Sequence, residues 1–327
     1  MNLPKWIRNG WEKMPHDDQD RHSLDCENKS VDQLAELAGL IKRHTSRDGM
    51  FGTSVSSLHL IRSSKTTLPV NTVYEPAIVI VAQGMKVVML GGDSFTYGPS
   101  SHFVVSVDLP VTSRLIQASP EAPYFCMRLG LDPALVLEVM KGAEAEDGRE
   151  AKRGAFVDRT SPELLDAAVR LVRLLDTPGD IPYLAPLVVR EIYYRIMRGS
   201  QGGAFKQFAL AGSGTSRIAR VIARIKQDYA QPLHIDELAR MAHMGPSSLH
   251  RHFKEVTALS PLQYLKRIRL QEARRLLLAE SLDAADAASR VGYESPSHFS
   301  REYAKLFGLP PISDIRRLRE ETVQKID

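Results

Sequence analysis

Cysteine is scarce in this chain: Cys26 and Cys126 are the 2 present, and they lie 100 residues apart. That excludes a disulfide framework and suits a reducing compartment. Long apolar runs are missing too. No stretch of about 18 apolar residues occurs, and the N-terminal "MNLPKWIRNGWEKMPHDDQD" lacks the apolar segment of a signal peptide. The expectation is a cytoplasmic protein with no membrane partner. Strong net charge is absent as well, at +4, yet 43% hydrophobic residues over 327 positions suffice for two or three cored domains and exclude disorder throughout.

The small charge is unevenly spread. From Gly214 to Asp327 there are 19 Lys+Arg against 14 Asp+Glu, net +5, which leaves 24 against 25, net −1, for everything before. The basic excess favours an anionic partner for the C-terminal third, with a merely solvated basic surface as the alternative.

Composition also divides the chain. Residues 1–54 read as a leader, partly disordered, with both tryptophans and the acidic "HDDQD" near its start. Short β-rich runs follow: "SLHLIR", "AIVIVAQ", "KVVMLG", "SFTYG", "HFVVSV", "TSRLIQA" and "YFCMRLGL", with "QGM" and "GGD" placed to close hairpins. Such short strands at regular spacing predict an antiparallel barrel or sandwich. Cys126, inside the last run, reads as a buried packing thiol. Helices then take over, from "DPALVLEVMKG" through "SPELLDAAVRLVRLLDTPGD" and "IPYLAPLVVREIYYRIMRGS", to a small-residue cluster at Gly212 to Ser216 that reads as the domain boundary or a hinge. The apolar stripes of 161–199, with Leu164, Leu171, Leu174, Leu187, Val188 and Ile192, suit either packing on the barrel or pairing between subunits.

Beyond the hinge lies an internal repeat. "HMGPSSLHRHFKEVTALSP" matches "YESPSHFSREYAKLFGLPP" at an offset of 50 residues, pairing Pro246 with Pro296, Arg251 with Arg301 and Phe253 with Tyr303. Each copy begins with a helix start and follows a shorter helix, "IDELARMA" or "AADAASRV", across a tight turn. Two helices so joined form a helix-turn-helix. Within the second copy, Ser295 caps, Pro296 suits the first helical position and Gly308 stops the helix. Between the copies "SPLQYLKRIRLQEARRLLLAE" opens on a Ser260/Gln263 capping box and runs as a rod of about 28 Å. One turn of B-DNA is about 34 Å, so the rod could set two recognition helices in successive major grooves. A helical repeat or an ordinary bundle with a duplicated hairpin is the competing reading, although solenoids usually need three or more repeats.

The stretch from "LHIDELARMAHMGPSSLHRHF" to "RVGYESPSHFSREYAKLFGLPP" resembles the two-motif DNA-binding domain of the AraC/XylS family of bacterial transcriptional regulators, over about residues 216–318. Upstream, "VYEPAIVIVAQGMKVVMLGG" and "VVSVDLPVTSRLIQASPEAPYFCMRLGLDP" are similar to the cupin-like N-terminal domain of one subgroup. The resemblance implies an α+β chain: an N-terminal cupin-like β-barrel with a helical extension over 55–210, then a C-terminal all-α domain over 211–327 with two helix-turn-helix motifs joined by a linker helix. It implies promoter DNA and RNA polymerase as partners, and an apolar barrel interior suited to a small-molecule effector; the alternative is that the barrel only mediates a homodimer. Gly245 stands where the family often has Ser, and Ala287 where a bulkier aliphatic is usual, leaving the second motif's core slightly underfilled.

Helical spacing puts Ser247, His250, Arg251 and Lys254 on one face of the first recognition helix, and Ser297, His298, Ser300, Arg301 and Lys305 on the second. Arginine forks match guanine O6 and N7, so Arg251 and Arg301 are the expected base readers, with Lys254 and Lys305 nearer phosphates. The rod's Lys266, Arg267, Arg269, Arg274 and Arg275 cannot all face DNA; most are expected to be solvent-exposed or paired within the domain. A cupin-type enzyme with a nucleic-acid-binding tail is the opposing hypothesis. A metal cupin needs converging histidines and carboxylates, and the β domain offers only His59 and His102, without a close His-x-His spacing, so neither catalytic residues, metal nor cofactor is expected.

Overall fold

The computed structural model describes residues 19–141, 153–210, 212–280 and 282–323. Its first element is α1 (Gln19–Arg43), followed by β1 (Gly49–Gly52), β2 (Leu58–Ser63), β3 (Val70–Tyr74), β4 (Ala77–Gln83), β5 (Met85–Leu90), β6 (Asp93–Tyr97), β7 (Ser101–Val105), β8 (Leu109–Gln117) and β9 (Tyr124–Gly130). Next come α2 (Pro133–Lys141), β10 (Ala155–Arg159), α3 (Pro162–Arg173), α4 (Ile181–Met197) and α5 (Gly202–Ala209). The strands form two antiparallel sheets, ordered β1-β2-β9-β4-β7-β10 and β3-β8-β5-β6.

Strand alternation explains how the larger sheet is covered on both faces. Ile78, Ile80 and Ala82 of β4, Val104 of β7 and Phe125, Met127 and Leu129 of β9 join a core with α1, α3, α4 and α5. The intervening Val79, Val81, Phe103, Val105, Tyr124 and Cys126 face the smaller sheet, meeting Val88, Leu90, Tyr97, Val111 and Leu115. Cys126 is buried there, as its sequence context predicts, and burial pushes its thiol up to about 11. Tyr97 and Phe103 stack with ring centroids 4.8 Å apart in the same layer.

Three differences from the sequence reading have physical causes. The leader expected over 1–54 is folded in its second half: Leu37, Leu40 and Ile41 of α1 are buried on the sheet, and β1 pairs with β2. Residues 1–18, including both tryptophans, lie outside the described residues. "QGM" closes no hairpin, because Gly84, at φ +85°, turns the chain from one sheet into the other. "GGD" does close one, with Leu90 opposite Asp93. The sequence reading also overlooked β1, β3 and β10, whose polar or exposed positions blur the alternation.

The remaining elements are all helical: α6 (Gly214–Gln227), α7 (Ile235–Met241), α8 (Pro246–Thr257), α9 (Pro261–Ala279), α10 (Ala284–Arg290), α11 (Pro296–Phe307) and α12 (Pro311–Val323). Helix α6 begins within the small-residue cluster. Ser213 caps α6 by accepting from Ser216 N–H, while its own hydroxyl donates to the Gln207 carbonyl. Helices α6, α8 and α9 contribute Ile218, Val221, Ile222, Phe253, Val256, Tyr264 and Leu265 to the same apolar cluster as the interior of the two sheets. A separate cluster forms around α9 to α12, with Ala273, Leu277, Ala287, Ala288, Phe299 and Tyr303.

Candidate nucleic-acid interface

Two helix-turn-helix units sit at the ends of the rod α9: α7 with α8, and α10 with α11. Their turns share one geometry. His243 at φ 53° and Gly292 at φ 84° both take the left-handed conformation, with matching bonds from Met244 N–H to Ala239 O and from Tyr293 N–H to Ala288 O. The helix starts differ. Gly245 caps α8 without a side-chain bond, whereas the Ser295 hydroxyl accepts from His298 N–H, and Gly308 ends α11 at φ 81°. At the start of α9 the Ser260/Gln263 capping box closes in both directions.

Every site residue expected from the sequence falls on the outer face of its recognition helix. Ser247, His250, Arg251 and Lys254 are exposed on α8; Ser297, His298, Arg301 and Lys305 are exposed on α11, with Ser300 half-buried among them. Leu249, Phe253, Phe299 and Tyr303 occupy the opposite faces, fully buried. Among the described residues, the side chains of Lys254, Arg301 and Lys305 have no polar partner, and Arg251 contacts only the ring of His252 at 3.4 Å.

The rod behaves in the opposite way, since each of its cations is engaged within the protein. Lys266 donates to Glu302 (2.7 Å), Arg267 to the Pro110 carbonyl (3.4 Å) and Arg275 to Glu272 (2.6 Å). Arg274 binds Asp314 through Nε (2.7 Å) and Nη2 (3.0 Å). Arg269 donates to three backbone carbonyls, those of Tyr229, Gly292 and Gln231. Burial lowers the pKa of Arg267 and Arg269, which a phosphate-facing guanidinium in water would not experience. Glu302 is raised by burial, but Lys266 and the Tyr293 hydroxyl outweigh that and hold it below the usual carboxylate range.

Contacts that sequence reasoning missed join the first unit to the sheets. Arg153 pairs with Asp93 and donates to the carbonyls of Lys254 and Glu255, both 2.9 Å, at the C-terminal end of α8. Next to it Gly154 N–H donates to Val256 O, and a Cβ on Gly154 would lie 2.7 Å from Val107 and 3.1 Å from Val256. Lys226 pairs with Asp108 (2.5 Å), whose carbonyl accepts from the Tyr264 hydroxyl. The second unit touches the sheets through Asn71, which donates to Leu306 O. No local pattern marks these residues, because each acts on backbone or charge far away in sequence.

Among the described residues no three of His, Cys, Asp and Glu converge on a metal position, and no helix is long and apolar enough to cross a membrane. His102 is buried in β7; its Nδ1 lies 3.3 Å from the Thr160 hydroxyl and its Nε2 has no partner.

A double-sheet domain with a flanking helical layer, followed by two helix-turn-helix units on a rod with cation-bearing outer faces, defines a DNA-binding regulator with a separate regulatory domain. Family comparison agrees in both halves: residues 54–204 match the AraC-type transcriptional regulator N-terminus, and residues 238–317 match a helix-turn-helix domain. The chain belongs to the AraC/XylS family of transcriptional regulators. It is 26% identical over 228 residues to the HTH-type transcriptional activator RhaS of Klebsiella pneumoniae (strain 342), covering 66% of this chain and 76% of RhaS. Among solved structures, ToxT from Vibrio cholerae has the same fold, with a TM-score of 0.55 at 12% identity over 79% of this chain and 97% of ToxT. A ToxT structure with bound unsaturated fatty acid aligns at 0.53 and 12% identity, over 78% and 92% of the two chains.

Proposed function

We propose that this regulator reads double-stranded promoter DNA with α8 and α11 in successive major grooves, using Ser247, His250, Arg251, Lys254, Ser297, His298, Ser300, Arg301 and Lys305. The observation that carries this reading is the contrast in cation use: those of the recognition helices are left open, while the rod's are consumed internally. Arg251 and Arg301 read bases, and Lys254 and Lys305 meet phosphates. The DNA-binding part runs from about residue 211 onward, and the regulatory part precedes it and includes α1. RNA polymerase is the partner that a transcriptional activator requires, in keeping with the name of the RhaS relatives. The chain works in the cytoplasm, without catalysis, metal or cofactor.

Regulation enters through the paired sheets, by a small effector. The hydroxyls of Tyr74 and Tyr124 are buried between them without partners, and the ammonium of Lys86 lies 5.3 Å from the Tyr74 ring centre. An apolar acid, like the one bound to ToxT, would satisfy these groups. A second reading, homodimerisation, is favoured by α4, where Tyr183 (77% exposed), Leu187 (61%) and Tyr194 (41%) form an unpartnered stripe at heptad spacing.

The experiment is binding of the full chain to a library of operator variants. Arg251→Ala and Arg301→Ala should each cost about 1–3 kcal/mol and relax preference at different positions, about one helical turn apart. Lys305→Ala should weaken all sequences alike and reduce the salt slope by roughly one unit. If either arginine change leaves affinity and base preference untouched, that helix does not read bases.

A further inference from the structure

We infer that Arg269 sets the separation at which the two recognition helices meet DNA, and so determines which spacing between the two halves of an operator is accepted. The inference rests on the reading that α8 and α11 both enter the duplex. Arg269 touches no expected DNA-facing residue. It projects from the middle of α9 and joins backbone from both ends of the domain: Nε donates to Tyr229 O (2.7 Å) and Nη2 to Gln231 O (2.9 Å), in the loop between α6 and α7. Its Nη1 donates to Gly292 O (2.7 Å), in the turn between α10 and α11.

The two segments are in direct contact at this point. A Cβ built on Gly292 would lie 2.2 Å from Ala230 O and 2.9 Å from Arg269 Nη2, so the second turn is pressed against the loop leading into the first unit. The guanidinium also lies 5.9 Å from the ring centre of Tyr293, whose hydroxyl donates to Glu302 on α11. Glu302 is held in turn by Lys266, one helical turn before Arg269 on the rod. A rod alone fixes the distance between two units along its axis but leaves each free to roll or tilt about its own end. The planar fork of Arg269 restricts that freedom, because three fixed donors meet carbonyls of the loop leading into the first unit and of the turn inside the second. Lysine cannot reproduce this, having one ammonium for three diverging acceptors. Arg269 is therefore a positioning residue, and spacing selectivity is the property it governs.

The test uses the full chain and an operator whose two halves have been mapped on the wild type. Duplexes carry the native spacing, spacings changed by one or two base pairs, or one half scrambled. The wild type should lose roughly tenfold on each altered spacing, since a fixed pair of helices matches one groove separation. Arg269→Lys and Arg269→Met should flatten that preference to below about threefold, while binding to the one-half duplexes stays within about twofold of wild type. Spacing preference kept intact in both variants would overturn the inference. So would loss of binding to the one-half duplexes, or unfolding of both variants by circular dichroism, either of which would make Arg269 a folding residue. A wild type that binds one-half duplexes as tightly as the whole operator would instead remove the two-helix reading, and the inference with it.

Discussion

Replacing Asp314 with alanine should detach the second helix-turn-helix unit from its support. Asp314 is fully buried in α12 and accepts four hydrogen bonds: Nε (2.7 Å) and Nη2 (3.0 Å) of Arg274, Nη2 of Arg317 (2.8 Å) and the Tyr303 hydroxyl (2.9 Å). It thereby links α12 to the rod and to the core face of α11. The Arg274 side chain is only 14% exposed and stacks 4.4 Å from the Phe307 ring centre, so without Asp314 its charge is left enclosed and uncompensated. Breaking a buried pair in this way costs about 3–5 kcal/mol, dominated by the stranded partner rather than by the lost attraction. Tyr303→Phe removes one neutral donor from a carboxylate that keeps its arginines, which costs about 1.5 kcal/mol. In the Asp314→Ala background the same tyrosine change should cost almost nothing, a coupling of about 1 kcal/mol or more.

Denaturant unfolding of the four proteins of that cycle measures these terms, and DNA binding through the second helix-turn-helix unit, on the proposed reading, should fall with them. Burial pushes the Asp314 carboxyl up, but Arg274, Arg317 and Tyr303 outweigh it and hold the group below the usual carboxylate range. Its contribution is therefore present at and above the ordinary carboxylate pKa and is lost as pH falls through the lowered value. An Asp314→Ala protein within about 1 kcal/mol of wild type, with its acid limb unchanged, would show that this buried pair does not hold the second unit in place.

Burial lowers the His102 imidazole from 6.5 to about 4, so the unfolded chain takes up a proton that the folded chain refuses. Stability should fall as pH drops between those values, by roughly 3 kcal/mol in all, and His102→Leu should flatten that slope in a pH series of melts. Arg153→Ala should cost about 1–3 kcal/mol and speed amide exchange in the last turn of α8, since two carbonyls lose a charged donor. Asp93→Ala, removing only the partly exposed ion pair, should cost at most about 1 kcal/mol; equal effects would show that the carbonyl bonds are idle. Leu187→Glu on α4 should leave the melt within about 0.5 kcal/mol of wild type but abolish any dimer seen by sedimentation; an unchanged dimer would place the interface elsewhere.

The parts of this protein whose signals are local were legible before any packing was considered. The helix-turn-helix repeat, the Ser260/Gln263 capping box, the Ser295-Pro296 start and the Gly308 stop of α11 are each settled within a few residues, by bonds between near neighbours in the chain. The outward faces of α8 and α11 follow from the same periodicity, so the nine residues expected there could be assigned to those faces before any packing was known.

Features that depend on partners distant in the chain emerge only on folding. Periodicity says that α1 is amphipathic at most, not that Leu37 and Ile41 complete a core with β4 and β9. Composition gives the rod five cations but not their acceptors, which lie up to 157 residues away, as with Arg267 and Pro110. The grip of Arg153 on α8 and the joining of two units by Arg269 use backbone carbonyls, which every residue possesses and no sequence pattern marks. The shared apolar cluster of the sheets with α6, α8 and α9 exists only once both parts have folded, because long-range burial is a property of assembled surfaces and not of any segment that contributes to them.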